Sequence, residues 1–154
     1  MHLEWMEKLR PVALFLLRLG LGAIFIYYGY PKFFGHTQDS MREMVQNGLP
    51  AYFAYLAGAL ELGGGSALIA GLATRLAGLA LAAEMAVAIW KGEHFFSHPL
   101  AVDQYGLALA LGLGAFTLAT FGSGAISVDA LFGKRGRASW QTTHRGRSRL
   151  STDA

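Results

Sequence analysis

Apolar residues in this chain gather into four long stretches separated by short polar connections, with a polar segment at the far end. Each stretch approaches the roughly 20 residues that an α-helix needs to cross a hydrocarbon layer of about 30 Å. The pattern predicts an all-α fold, an integral membrane four-helix bundle with spans at about 11–30, 51–73, 76–90 and 105–121. The domain plan is a terminal segment at 1–10, the transmembrane domain at 11–133 and a tail at 134–154. Trp140 is the single aromatic residue of that basic, aperiodic tail, which is expected to be disordered.

Punctuation supports these boundaries. Pro11 suits a helix start, and Gly29 and Pro31 are expected to close the first span, since a proline drives the residue before it out of helical geometry. Tyr27, Tyr28, Tyr30, Phe33 and Phe34 then form an aromatic belt at headgroup level, with Lys32 as the cation at the helix's negative end. Tyr27, Tyr28 and Lys32 are accordingly candidate interfacial residues. Ser40-Met-Arg-Glu43 reads as a capping box opening a short interfacial helix in the first outer loop, with Gly48 as its stop. The first apolar run lacks a small-residue cleavage site and is read as a retained helix, not a removable signal.

Composition agrees with the membrane class. The chain of 154 residues is 53% hydrophobic and 15% charged, with a mean hydropathy of +0.35, too apolar for an ordinary soluble domain of that length. Cysteine is absent, which removes disulfides, thiolate metal sites and dithiol chemistry. Redox work would therefore need a partner or a cofactor.

Charge fixes the expected orientation. Four spans put both ends on one side together with the Thr74–Arg75 turn. That side holds Lys8, Arg10, Arg75 and the tail cations Lys134, Arg135, Arg137, Arg145, Arg147 and Arg149, against Lys32, Arg42 and Lys91 opposite. The positive-inside rule then places both termini in the cytoplasm, N-in and C-in, of a bacterial inner membrane. A basic tail directly after a membrane helix is explained by topology and contact with anionic lipid, so no nucleic-acid partner is expected.

Three ionisable residues fall inside the spans: Arg18, Glu61 and Glu84. An ionised side chain at mid-bilayer costs a few kcal/mol even on gentle insertion scales, so these should face the bundle interior. Counting about 1.5 Å per residue from the expected span ends lets all three share one layer. One reading makes that layer a candidate polar site, with Arg18 binding an anionic or carbonyl group and a carboxylate relaying protons, as quinone chemistry would require. The other pairs Arg18 with Glu61 as a structural clasp and needs no ligand. Gly63-Gly64-Gly65, beside Glu61, either exposes backbone to a cavity or packs closely on Gly20 and Gly22. His94 and His98, four apart, are a weak metal alternative without a defined third ligand.

Three motifs carry a resemblance: LLRLGLGAIFIYYGYPKFFG at Leu16 to Gly35, ELGGGSALIAGLATRLAGLAL at Glu61 to Leu81, and GSGAISVD at Gly122 to Asp129. In this order they resemble the DoxX family of small bacterial membrane proteins. The resemblance implies a four-helix membrane bundle and places Arg18, Gly29, Lys32, Glu61, Gly71, Thr74, Arg75 and Asp129 on the family's recurrent positions. Two positions depart from the family pattern: Ser123 stands where proline is usual, and Glu84 where an apolar residue is usual. The family takes its name from a subunit of a quinone-linked thiosulfate oxidoreductase. By that resemblance the chain is expected to be an accessory or anchoring subunit of a membrane oxidoreductase system, quinone-linked or linked to oxidative stress. The alternative is a small-molecule protein, binding or transporting a quinone or lipid-like substrate between its helices. Quinone is the cofactor either reading would admit. The expected partners are the bilayer, an oxidoreductase subunit and a second copy of the chain.

Overall fold

In a computed structural model, residues 4–35, 37–91, 102–124 and 127–129 are described. Among them there are five helices and no strand: α1 (Glu4–Phe34), α2 (Thr37–Gln46), α3 (Phe53–Ala70), α4 (Thr74–Lys91) and α5 (Val102–Phe121). His94, His98 and the basic tail lie outside the described residues.

The first expected boundary moves. α1 runs for 31 residues through both Pro11 and Pro31, about 46 Å of helix. Pro31 lacks an N–H and so forfeits one backbone bond, yet its own carbonyl accepts from Gly35 at 3.0 Å and the turn continues. Packing against α3 outweighs the local preference to stop at Tyr30. The segment Lys8–Phe34 and α3 are each long and apolar enough to cross a membrane by length and composition.

α2 also differs in its start. It opens at Thr37, so Ser40 lies inside the helix and the expected capping box does not mark its first turn. Its end matches the sequence reading: Gly48 adopts a left-handed φ of 72°, and Leu49 N–H donates to Met44 O at 2.9 Å across the stop.

The long helices pack as antiparallel neighbours, α1 on α3 and α5, and α4 on α3 and α5. Small residues set the spacing. A Cβ on Gly22 would stand 2.7 Å from Gly65 O, and one on Gly78 would stand 2.6 Å from Ala115 O. Backbone therefore lies against backbone in both pairs, the close contact that small residues permit in membranes. Of the two expectations for the triple glycine, close packing describes Gly65 on Gly22, whereas Gly20 and Gly63 meet nothing within 4 Å.

Leu21, Phe25, Leu68, Leu81, Met85, Leu111, Ala115 and Leu118 form the apolar core. What surrounds this core is inverted relative to a soluble protein. Arg18, Glu61 and Thr74 are buried, while Leu16 and Leu76 are 60% and 72% exposed and Leu79, Leu113 and Phe116 also point outward. Charge inside and leucine outside is the arrangement that a hydrocarbon solvent selects.

Candidate functional site

The two expected partners Arg18 and Glu61 do not meet. α1 and α3 are antiparallel, and Gly29 sits against Glu61, since a Cβ there would meet Glu61 Cβ at 2.8 Å. Arg18 is eleven residues before Gly29, about 16 Å along the helix. The single polar layer predicted from the sequence is therefore two separate clusters. The extension of α1 past Tyr30 sets the register differently from the expected span ends.

Arg18, 1% exposed, belongs to the end that holds the α3–α4 turn. Its guanidinium donates to Ser123 O and lies over the Phe15 ring at 5.7 Å. Gly71 closes α3 in a left-handed conformation, φ 68°. A Cβ there would stand 2.6 Å from Arg18 Nη1 and 2.7 Å from Ser127 Cβ, so Gly71 is required on both conformational and steric grounds. Asp129 completes the knot. Its N–H donates to Gly71 O at 3.1 Å, while its carboxylate accepts from Ala73 N–H at 3.0 Å and from Thr74 N–H at 3.3 Å. The side chain caps the start of α4 from fifty-five residues away. Arg18, Gly71, Thr74 and Asp129 are thus a structural clasp that ties the segment after α5 to the α3–α4 turn.

Glu61 lies toward the α2 end and takes its ion pair from Lys32, Nζ to Oε1 at 2.7 Å. Lys32 turns toward Glu61, with its side chain 23% exposed against 3% for Glu61. Tyr28, by contrast, is exposed on one side and lines a cavity on the other, and Tyr27 meets it edge to face at 5.4 Å. Lys32 as the partner of Glu61 was the feature missed in the sequence. Its signal was register: Lys32 and Glu61 lie three residues from Gly29 and Gly58, small residues that allow the two helices to touch.

Next to this ion pair is a cavity of about 650 Å³. Phe25, Met85 and Leu111 form its deep end, Leu56, Leu60, Val87 and Leu107 its apolar walls, and Glu43, Met44 and Asn47 of α2 stand over its mouth with Lys91. Glu61 and Glu84 both line it. Glu61 Oε2 and both carboxyl oxygens of Glu84 are buried with no hydrogen-bond partner among the described residues. The structure thus brings Glu61 and Glu84 into one site, adds Lys32, and leaves Arg18 out of it.

Comparison with known proteins follows the same residues. The DoxX family model matches residues 13–99, more than half of the chain. The chain belongs to the DoxX family. Among relatives of this DoxX protein, the "Inner membrane protein YqjF" of Escherichia coli (strain K12) is 30% identical, over 84% of this chain and 99% of that protein. The "Putative oxidoreductase CatD" of Bacillus subtilis (strain 168) is 37% identical, over 68% of this chain and 83% of that protein. No solved structure matches significantly. Family membership and the inverted surface together make this DoxX chain a membrane protein. The matched region holds Arg18, Lys32, Glu61 and Glu84, whereas Asp129 lies beyond it.

Proposed function

We propose that this DoxX protein crosses a bacterial inner membrane four times as a helical bundle, and that it binds a small amphipathic molecule of the quinone or lipid-like class in the cavity beneath α2. Both termini and the Thr74–Arg75 turn face the cytoplasm. The cavity carries this reading. At about 650 Å³ it falls within the roughly 300–1,000 Å³ of small-molecule sites, and its apolar walls with a few polar groups are their usual make-up. A concave apolar space of this size backed by buried carboxyls has the form that small-molecule sites take.

The closed side of the cavity favours binding over transport. Beyond Phe25, Met85 and Leu111 the core residues Leu68, Leu81 and Leu118 are fully buried, and the Arg18 clasp ties the turn end together. A ligand therefore enters and leaves at the α2 end. The orientation follows the positive-inside rule, with Arg10 and Arg75 on the cytoplasmic side; Arg10 lies over the Phe121 ring at 5.1 Å.

Native mass spectrometry of the full chain in lipid nanodiscs tests the reading. The wild type is expected to release a bound small molecule, and Ala88→Trp, which places an indole in the cavity wall, is expected to release none. Indistinguishable spectra for the two proteins would overturn it.

A second reading, an accessory or anchoring subunit of a membrane oxidoreductase, draws on the name of the Bacillus subtilis relative and on a chain without cysteine. The two readings are compatible, since such a subunit can hold the ligand of its partner. Crosslinking in cells followed by gentle extraction should capture an oxidoreductase. Recovery of this chain alone would remove the subunit reading and leave the cavity reading in place.

A further inference from the structure

The polar atoms of the cavity are unequal in kind. Lys32 spends one N–H on Glu61 Oε1, and three carboxyl oxygens remain without a partner among the described residues: Oε2 of Glu61 and Oε1 and Oε2 of Glu84. A carboxyl group keeps acceptor capacity in either protonation state, so this wall holds three vacant acceptors. Charge is unequal as well, with Glu43, Glu61 and Glu84 lining the cavity against Lys32 and Lys91. Buried polar groups are ordinarily satisfied, and an unsatisfied one inside a membrane protein points to an occupant.

The occupant's chemistry follows from the deficit. A carbonyl head brings only acceptors and leaves the vacant carboxyl oxygens without a donor. A primary ammonium brings three donors, which match the three vacant oxygens, and a positive charge that favours the ionised form of a neighbouring carboxyl. Both carboxyls sit at the ends of flexible side chains whose stems line the cavity, so a change of rotamer presents them to a guest. Leu56, Leu60, Val87 and Leu107 then accept an apolar chain running toward the mouth, where Glu43 of α2 and Lys91 of α4 stand.

We propose that the Glu61–Glu84 end of this cavity receives the ammonium head of a membrane-soluble amphiphile, whose hydrocarbon chain extends between the helices toward α2. The inference rests on the reading of the cavity as a small-molecule site and narrows its ligand to a cationic head.

The test titrates the full chain in zwitterionic nanodiscs with dodecylammonium, dodecyltrimethylammonium, dodecanol and decyl hydroquinone, read by native mass spectrometry. Dodecylammonium is expected to bind roughly tenfold or more tightly than the two neutral compounds, the scale of a hydrogen bond to a charged group. In Glu84→Gln that preference is expected to shrink to about twofold, and because Glu84 makes no bond among the described residues the variant should melt with the wild type. Dodecyltrimethylammonium has the charge without the N–H donors and should lose most of the advantage in the wild-type protein, which decides the matter even if Glu84→Gln folds poorly. Equal binding of dodecylammonium and dodecanol overturns the cationic head but leaves the cavity reading standing, and so does a preference for decyl hydroquinone. An undiminished preference in Glu84→Gln, or equal binding of the two cations, overturns the carboxyl recognition. No saturable binding of any of the four, with Ala88→Trp behaving like the wild type, removes the cavity reading itself.

Discussion

At the scale of single residues, the ionisable groups divide by what they touch. Arg18 and Asp129 are both held by backbone: Ser123 O accepts from the one, and Ala73 and Thr74 N–H donate to the other. They hold a chain crossing and leave no vacant carboxyl there for a ligand. Lys32 and Glu61 hold each other at 2.7 Å, and the second oxygen of Glu61 is buried without a partner among the described residues. Breaking a buried pair by removing one partner costs about 3–5 kcal/mol, because the survivor is left uncompensated. With Lys32 partly exposed, Lys32→Met should fall near the lower end, seen as a lower melting temperature in detergent. The double variant Lys32→Met/Glu61→Leu should regain much of the loss, since it removes both charges together. A double variant less stable than Lys32→Met would mean that the ion pair is not what holds Glu61.

At the scale of elements, contact between helices overrules local preference. Pro31 predicts an end to α1 at Tyr30, but the helix continues to Phe34 because Lys32 and Phe33 pack against Gly58 of α3. The same backbone proximity joins α4 to α5, where Gly78 faces Ala115 O with no room for a side chain. Gly78→Leu must push the two helices apart or rotate one of them, and overpacking of this kind costs about 1–3 kcal/mol. Its expected signature is early melting together with protease sensitivity between α4 and α5, whereas Gly63→Leu, at a glycine with open space around it, should be tolerated. Equal damage from both would show that the spacing at Gly78 is not limiting.

At the scale of the whole molecule, one end is locked and the other is open. The turn end is closed by the Arg18–Asp129 clasp and the leucine core, while the α2 end has the cavity and a helix with no buried residue. Because the chain has no cysteine, single thiols report its orientation directly. Gln46→Cys in α2 should react with a membrane-impermeant maleimide on intact cells, and Leu72→Cys in the α3–α4 turn should react only after lysis. Labelling of both from outside, or only of Leu72→Cys, would reverse or break the proposed four-span orientation.

Much of this was legible before any tertiary structure. The apolar stretches predicted a helical membrane protein, in agreement with membership of the DoxX family, and Gly48 marked the end of α2 through its left-handed conformation. Gly65 on Gly22 was foreseeable from small residues facing each other across two helices. The partners of the buried charges were not. Arg18, Lys32, Glu61 and Glu84 are separated by many residues, and which pair meets depends on how far one helix slides along another. A slide of about four turns, about 21 Å, exchanges Arg18 for Lys32 as the neighbour of Glu61 without altering any local pattern. Only packing of backbone on backbone at Gly29 and Gly58 decides that register, and with it where the cavity opens and which carboxyls line it.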